Sequence, residues 1–278
     1  MASRDGDGRV DCTRPAPSCR PAPREALLHG ALGVAGGVVL AWTAGRVLET
    51  LARSLPPRAQ HLARGAMLKP TFAVRALFAA VHGVERALQA DDLVQARALL
   101  ARDLVSRDTR ALDQAQVAEA AIASLAENLS DSVIAPWLAA RLGGLPAAYA
   151  YRFINTADAM LGYRTPELEW SGKPAARLDD LVNLLPARLT ALLLVSCAAA
   201  GGGSTVGAAT VMWRDHGLTP SPNGGWPMAA MAGALDCRIT KRGVYALNAD
   251  AAAPSVADLR RSRQIARAAV AAGGALLA

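Results

Sequence analysis

Three segments rich in acidic, amide and arginine side chains border the apolar stretches of this sequence. In the first, Glu127 and Asp131 stand four residues apart and share one face if the segment is helical. Two neighbouring carboxylates repel each other unless a cation joins them, and Mg²⁺ takes carboxylate oxygens together with waters and phosphates. The spacing therefore indicates a Mg²⁺ site, while a solvated helix face is the alternative interpretation. The three polar segments are Ser124–Asp131, Arg152–Arg164 and Arg177–Arg188.

The second polar segment places a polar residue at every third position, at Arg152, Asn155 and Asp158. This spacing puts the three side chains along roughly one face of a helix. They are candidates for the same site as the first segment. The alternative is an interfacial ion pair between Arg152 and its neighbours.

In the third polar segment, Asp179 and Asn183 share a helical face, and so do Arg177 and Asp180. Adjacent acids, an amide and arginines could together hold a metal–nucleotide complex. The alternative is a capped helix start with internal ion pairs.

A fourth candidate element is the Pro- and Gly-rich stretch Ser221–Pro227, which predicts a rigid turn. Backbone N–H groups of such loops can cradle a phosphate, although a plain connecting loop has the same composition. The sequence contains no Walker loop, no GxGxxG motif and no serine-hydrolase elbow. None of its four cysteines forms a CxxC pair, and its four histidines are scattered.

The elements that must position these residues are apolar blocks within a chain that is 52% hydrophobic and 19% charged. Ala26–Gly45 carries no charge, and its 20 residues would span about 30 Å as a helix, the thickness of a bilayer core. Its Gly33 and Gly37 form a GxxxG pair that can bring helices together. Arg46 follows at the predicted exit from the bilayer.

Two further apolar blocks contain signals that interrupt a helix. Val133–Tyr151 holds Arg141 and a Gly-Gly-Leu-Pro break at 143–146, so we expect a broken or re-entrant pair of half-helices. Leu189–Trp213 is free of charge, but three glycines at 201–203 predict a kink or a loop. A short apolar tail, Val270–Ala278, would complete a helix that begins near Leu259.

The rest of the chain is predicted to be polar and mostly helical. Pro70–Leu104 shows apolar residues at three and four spacing, which is typical of amphipathic helices, and Asp91-Asp92 is predicted to cap one of them. Residues 1–25 are predicted to be a disordered polar tail, and residues 26–278 one membrane-embedded domain. The predicted fold class is all-α: a multi-pass integral membrane protein with amphipathic helical loops and three or four membrane segments.

The net charge of +7 does not indicate nucleic-acid binding, because Lys and Arg are interleaved with Asp and Glu. Loops beside membrane helices are rich in Arg and Lys, which accounts for the balance, and anionic substrates such as ATP would also suit it.

Taken together and in their order along the chain, these strings resemble the CobD/CbiB family of adenosylcobinamide-phosphate synthases. The resemblance runs from about residue 26 to the end. Family members usually begin with an extra apolar helix, a Gly-Asp-Pro turn and a His-Pro-Val stretch. This sequence shows no counterpart of these three features, so we expect either an upstream start or a shortened chain. The matching strings are Leu68–Thr71, Ser106–Thr109, Ser124–Pro136, Gly144–Arg164, Ala176–Leu194 and Ser221–Leu235.

The resemblance implies an ATP-dependent ligase that joins aminopropanol, or its phosphate, to a propionate side chain of adenosylcobyric acid through an amide bond. It implies a multi-pass protein of the bacterial cytoplasmic membrane, with ATP as co-substrate and Mg²⁺ as cofactor. The expected catalytic residues are Glu127, Asp131, Asp158 and Asp180. The expected Mg²⁺ ligands are Glu127, Asp131, Asp179 and Asp180. The expected substrate-binding residues are Arg107, Asn128, Asn155, Arg164, Asn183, Arg188, Asn223 and Trp226.

Two other functions are open at this point. A non-catalytic membrane regulator, related to sensors of β-lactamase induction, could keep the scaffold, but it would not need the polar segments that this chain retains. A transporter also uses broken helices and polar groups at membrane depth, although the sequence shows no paired repeat halves.

Overall fold

The computed structural model describes residues 23–162, 165 and 168–277, which form eleven α-helices and one short β-hairpin. Helix accounts for 78% of the structure and strand for 2%, so the all-α prediction is confirmed. Of the tail predicted to be disordered, residues 1–22 lie outside the described residues. The helices are α1 Pro23–Arg53, α2 Pro57–Leu68, α3 Val74–Gln89, α4 Leu93–Asp103, α5 Gln114–Leu129, α6 Ala135–Leu161, α7 Lys173–Val182, α8 Leu184–Ser196, α9 Thr205–Asp215, α10 Gly225–Leu235 and α11 Val256–Leu277. The antiparallel strands are β1 Ile239–Lys241 and β2 Tyr245–Leu247.

The main core surrounds α10, which is buried along its whole length and packs against α5, α8 and α9. Its side chains are mostly alanine and methionine, which let neighbouring backbones approach closely. At Gly233 a Cβ atom would collide with the backbone of Gly207 in α9. Glycine is therefore required on α10 at this crossing.

A second, smaller layer consists of α1, α6 and α7, with a small core of Val34, Ala157 and Ala175. Within this layer, α1 packs closely on α6 through two glycines at which a Cβ atom would have no room. Gly37 lies under Phe153, and Gly45 lies against Pro146. Among the described residues, no atom lies within 4 Å of the Cβ position of Gly33. Of the GxxxG pair, only Gly37 is therefore packed against the described part of the chain.

The predicted helix interruptions are confirmed. α6 is broken at Gly143–Gly144, where Gly144 has φ +66°, and its second half begins at Leu145–Pro146. The apolar block 189–213 is divided between α8 and α9, with Gly202 in the left-handed region at φ +67°. The C-terminal apolar residues complete α11 as predicted. Asp92 caps α4, because its carboxylate accepts a hydrogen bond from the Gln95 backbone at 2.9 Å.

Only α1, among the described helices, is long and apolar enough to cross a membrane. The mean hydropathy of its most apolar 18-residue window is 1.6, and 6% of that window is buried against the rest of the chain. α8 is apolar but has 13 residues, too few to span a bilayer core. One span candidate is thus found where three or four segments were expected, because glycine divides the other apolar blocks into shorter helices.

Candidate active site

The first polar segment folds around a π-helical turn, Ser130–Ile134, that joins α5 to α6. Such turns are rare and are frequent at functional sites. Two of its carbonyl groups accept hydrogen bonds from outside the helix: that of Ser132 from the Ala73 N–H at 3.1 Å, and that of Asp131 from the Tyr151 hydroxyl at 3.1 Å. The turn therefore ties the start of α3 and the second half of α6 to the segment that carries the predicted acids.

Four acidic side chains from three helical regions come together beside this turn. Glu127 and Asp131 come from the end of α5 and the π turn, Asp158 from the last turns of α6, and Asp179 from α7. We call these four residues the carboxylate cluster. Their carboxylates affect one another: burial, followed by the charges of Glu127 and Asp179, raises the pKa of Asp131 well above its ordinary value. Burial, followed by the charge of Asp158, raises the pKa of Asp179 to about 6.

In the part of the chain that the structure describes, the carboxylate cluster makes none of the direct ion pairs that usually accompany half-buried acids. Within the described residues, no salt bridge joins Glu127, Asp131 or Asp179 to an arginine, lysine or histidine. Desolvated like charges without a counter-ion destabilise the folded state. This arrangement is expected where a bound cation or a cationic ligand completes the site.

Amide side chains line the same depression. A cavity of about 20 Å³, roughly the room that one water needs, lies between the carboxylate cluster and Asn183 and Asn223. Asn183 is buried; its Oδ1 accepts a hydrogen bond from the Tyr151 hydroxyl at 2.8 Å. Its Nδ2 makes no hydrogen bond of normal geometry in the described part of the chain, although it lies near enough to Asp179 to lower the pKa of that carboxyl. An unpaired buried donor suits an acceptor on a ligand, such as a phosphate or carboxylate oxygen.

An arginine and two aromatic rings form the adjoining wall. Arg188 donates to Asn223 Oδ1 at 3.1 Å, and its guanidinium lies 4.8 Å from the ring centroid of Trp226. Trp226 stacks on His216 with 3.9 Å between centroids. Asn223 Nδ2 donates to the backbone oxygen of Asp180 at 2.7 Å, which fixes the turn against α7. The structure thus places three predicted substrate-binding residues, Arg188, Asn223 and Trp226, side by side.

The Pro- and Gly-rich turn gives the cavity room for the Glu127 carboxylate and supplies few free backbone donors. The N–H groups of Asn223 and Gly224 point to Ser221 Oγ at 3.2 and 3.4 Å, so they serve the turn itself. A Cβ atom at Gly224 would stand 3.0 Å from Glu127 Oε1. Glycine at this position therefore leaves the Glu127 carboxylate room to face the cavity.

Other predicted residues lie near the cluster with different partners. Asn155 Nδ2 donates to Asp179 Oδ1 at 3.4 Å and so supports the cluster directly. Asp180 turns to Arg177, with 3.6 Å between the charged atoms, and does not line the cavity. Asn128 donates to the Ser124 backbone oxygen at 2.9 Å and lines a separate cavity of about 490 Å³ between α3 and α4.

Arg107 and Arg164 complete the set of predicted residues. Arg107 is near the hairpin, where its charge opposes the rise that burial causes in the pKa values of Glu119 and Tyr245. Arg164 lies outside the described residues.

Sequence reasoning missed the hairpin and Tyr151. In the hairpin, the Thr240 backbone and hydroxyl both donate to Glu119 Oε1, at 2.6 and 2.8 Å, which fixes β1 on α5. The neighbouring Lys241 is close enough to Glu127 for its charge to favour the ionised carboxylate. The strands have three residues each, too few for a period-two pattern, and only Gly243 at φ +73° marks the turn. Tyr151 stands in an apolar run with no pattern that indicates a site.

In the described ranges 23–162 and 168–277, no group of three or more His, Cys, Asp or Glu side chains is arranged to hold a metal ion by itself. The carboxylate cluster still offers the oxygen ligands that Mg²⁺ takes when it binds through one or two carboxylates and completes its shell with waters and substrate phosphates. The donor set therefore fits a metal that arrives with a nucleotide more than a resident ion.

The fold and the site together define the class of this protein: it is almost entirely helical, and it carries a carboxylate cluster beside a wall formed by an arginine and aromatic rings. A family model described as "CobD/Cbib protein" matches residues 12–272, and the chain belongs to this family. No solved structure matches it.

Several relatives are named cobalamin biosynthesis protein CobD, and three of them show the extent of the similarity. That of Dehalococcoides mccartyi is 46% identical over 184 residues, which cover 66% of this chain and 59% of the relative. That of Rhodobacter capsulatus is 43% identical over 74% of this chain and 67% of the relative, and that of Mycobacterium tuberculosis is 40% identical over 91% and 78%. The chain thus spans about three fifths of the length of the first of these relatives.

Proposed function

We propose that this protein is an ATP-dependent amide ligase of cobalamin biosynthesis, which joins aminopropanol or its phosphate to adenosylcobyric acid. Family membership supports a role in this pathway. The observation that carries the specific reaction is the carboxylate cluster, with the unpaired Asn183 amide and Arg188 beside it. Acids for a metal–nucleotide complex and donors for phosphate are the groups that phosphoryl transfer needs.

The proposed reaction has two steps. A carboxylate oxygen of the corrinoid attacks the γ-phosphorus of ATP, the bond to the β–γ bridging oxygen breaks, and ADP leaves with that oxygen. The amine nitrogen then attacks the acyl carbon of the resulting acyl phosphate, inorganic phosphate leaves, and an amide forms. The proton lost by the amine passes to a carboxylate of the cluster. Arg188 and Asn183 Nδ2 donate to phosphate oxygens in both steps, and Trp226 holds the arginine in position.

Mg²⁺, when bound with the nucleotide, would neutralise phosphate charge and take one or two of the carboxylates of Glu127, Asp131 and Asp179 as ligands. Asp180 was also expected to be a ligand. In this proposal it instead steadies α7 through Arg177, because its carboxylate does not line the cavity.

We also propose that the protein is a multi-pass protein of the bacterial cytoplasmic membrane. α1 supports membrane attachment, since it contains an apolar 18-residue window that is mostly uncovered by the rest of the described chain. The broken α6 lies directly against α1, and irregular backbone at membrane depth is tolerated where protein covers it.

Complementation of a bacterium that lacks its own synthase and is fed cobyric acid tests the proposal. We expect cobalamin-dependent growth with the chain as given and none with Asp131→Asn or Asp179→Asn. Asp250→Asn, an exposed acid far along the chain from the cluster, serves as the matched control and should support growth. If the unaltered chain gives no growth despite protein in the membrane, a longer version with the N-terminal segment that family members carry is tested in the same way. No growth with that version would overturn the enzyme assignment in favour of a regulator.

A further inference from the structure

A second polar cavity, of about 380 Å³, lies between the C-terminal end of α1, α2 and the break in α6. Its polar lining consists of four arginines and one acid, a formal excess of three positive charges. These residues are Arg46, Arg53, Arg64, Arg141 and Glu49. We call this site the arginine cavity; it shares no lining residue with the cavity of the carboxylate cluster.

The single acid of the arginine cavity is only half satisfied. Glu49 is 5% exposed, and its Oε1 accepts hydrogen bonds from Arg53, at 3.1 Å, and from Arg64. Its Oε2 is buried and has no hydrogen-bond partner in the described part of the chain. A buried carboxylate oxygen without a donor costs free energy. The cavity therefore offers one acceptor for a ligand donor, beside several donors for a ligand anion.

The backbone adds to the preference for an anion. Gly144 at φ +66° ends the first half of α6, and the second half starts at Leu145 with its N-terminus at the arginine cavity. Helix N-termini carry a partial positive charge that favours negative groups. A Cβ atom at Gly144 would stand 3.4 Å from Glu49 Oε2, so the glycine keeps the space beside this oxygen open.

An apolar surface begins where the arginine cavity ends. A shallow groove along α1 is lined by Thr43, Val47, Thr50 and Leu51 and shares Arg46 with the cavity. Val47 is 54% exposed, and Leu40, about two helical turns earlier in α1, is 73% exposed. This face belongs to the one described helix that is able to span a membrane. A ligand that extends from the cavity along α1 would thus carry an apolar tail.

We propose that the arginine cavity binds a phosphoethanolamine group, with the phosphate among the arginines and the ammonium donating to Glu49 Oε2. The exposed apolar face of α1 favours an aminophospholipid, whose acyl chains would lie along the groove, over a free phosphorylated amino alcohol. Both sources share the same headgroup chemistry. The proposal concerns a site separate from the proposed active site and does not depend on the ligase activity.

Native mass spectrometry of the full chain in detergent, titrated with phosphatidylethanolamine, phosphatidylcholine or phosphatidylglycerol, tests the proposal. The choline headgroup has a cation without an N–H donor, and the glycerol headgroup has no cation. We therefore expect phosphatidylethanolamine to bind about tenfold more tightly than either, as one charge-assisted hydrogen bond allows. Equal binding of the three lipids would overturn it.

Variants separate this site from general lipid binding. Glu49→Gln should remove the preference for ethanolamine over choline, and Arg141→Gln, at an exposed position, should weaken both lipids alike. Arg110→Gln, on a distant exposed loop, should leave both unchanged. A preference for ethanolamine that persisted in Glu49→Gln, or lipid binding that Arg141→Gln left unchanged, would place the lipid elsewhere. If free O-phosphoethanolamine bound as tightly as the lipid, the headgroup chemistry would stand and the lipid source would be wrong.

Discussion

The second half of α6 joins two polar regions of opposite charge. At its start is the arginine cavity, where Glu49 already holds two arginines and positive charge is in excess. Near its end, Asp158 belongs to a carboxylate cluster in which Glu127, Asp131 and Asp179 have no salt bridge within the described residues. Cations at a helix N-terminus and acids at a C-terminus both oppose the helix dipole. Both regions cost stability in the same way, which supports the two proposals: a metal–nucleotide complex at the carboxylate cluster, and a phosphoethanolamine group at the arginine cavity.

The largest expected effect is on activity at the carboxylate cluster. Asp179→Asn should lower the rate of amide formation on the order of 100-fold, as expected when a group that stabilises transition-state charge is lost. The same change should raise the melting temperature, since it removes one of several repelling carboxylates. A purified-enzyme assay and a thermal melt in detergent measure the two effects.

Glu49→Gln, in the arginine cavity, should lower the melting temperature, whereas Asp179→Asn is expected to raise it. The neutral amide leaves Arg53 and Arg64 without a counter-ion, so we expect a loss of about 1–3 kcal/mol in stability. If both variants lowered stability alike, the distinction between unpaired and paired acids would be wrong.

The pH dependence of stability is the next test. The folded pKa of Asp179, about 6, is above its ordinary value of 3.8, so its protonated form is favoured by folding. The stabilisation it provides is fully present below about pH 4 and is lost as the pH rises through 6. In the presence of a chelator, the melting temperature should fall from pH 5 to pH 7, and it should fall less in Asp179→Asn.

A smaller effect is expected from the backbone of the arginine cavity. Gly144→Ala puts a Cβ atom on a residue at φ +66° and ψ −156°, a conformation that is essentially restricted to glycine, which costs about 1–3 kcal/mol. Gly33→Ala, where nothing lies within 4 Å, is the matched control and should be neutral or slightly stabilising in α1. Chemical or thermal unfolding of the two variants compares them, and equal losses would contradict the described break in α6.

The smallest effect is expected at Asp180. Its carboxylate pairs with the exposed Arg177 and does not line the cavity, so Asp180→Asn should reduce the synthase rate by less than about threefold, in the range of an exposed ion pair. A loss as large as that of Asp179→Asn would return Asp180 to the metal-binding set predicted from the sequence.

Much of the candidate site could be predicted from the sequence because its signals are local. Glu127 and Asp131 are close through helical spacing, and the fourth element brings Asn223 and Trp226 within four residues of each other. The expected partners Asn155, Asp179 and Asn183 do meet around the cluster. Asp180 pairs with Arg177 and Asn128 with Ser124, because which way a side chain turns on a helix depends on its neighbours. The roles predicted for these two residues stay predictions.

The sequence by itself determined the all-helical fold, the caps and breaks at Asp92, Gly144 and Gly202, and the grouping of acids with amides. Each of these depends on residues within a few positions of one another, where backbone geometry and helix periodicity act directly. The tertiary structure decided that Asp158 and Asp179 lie close enough to Asp131 for their charges to act on it, that the charge of Lys241 acts on Glu127, and that Glu49 is buried among arginines. These contacts join residues far apart in the chain, and the packing of α1, α6 and α7 that creates them follows from shape and burial, which no local pattern encodes.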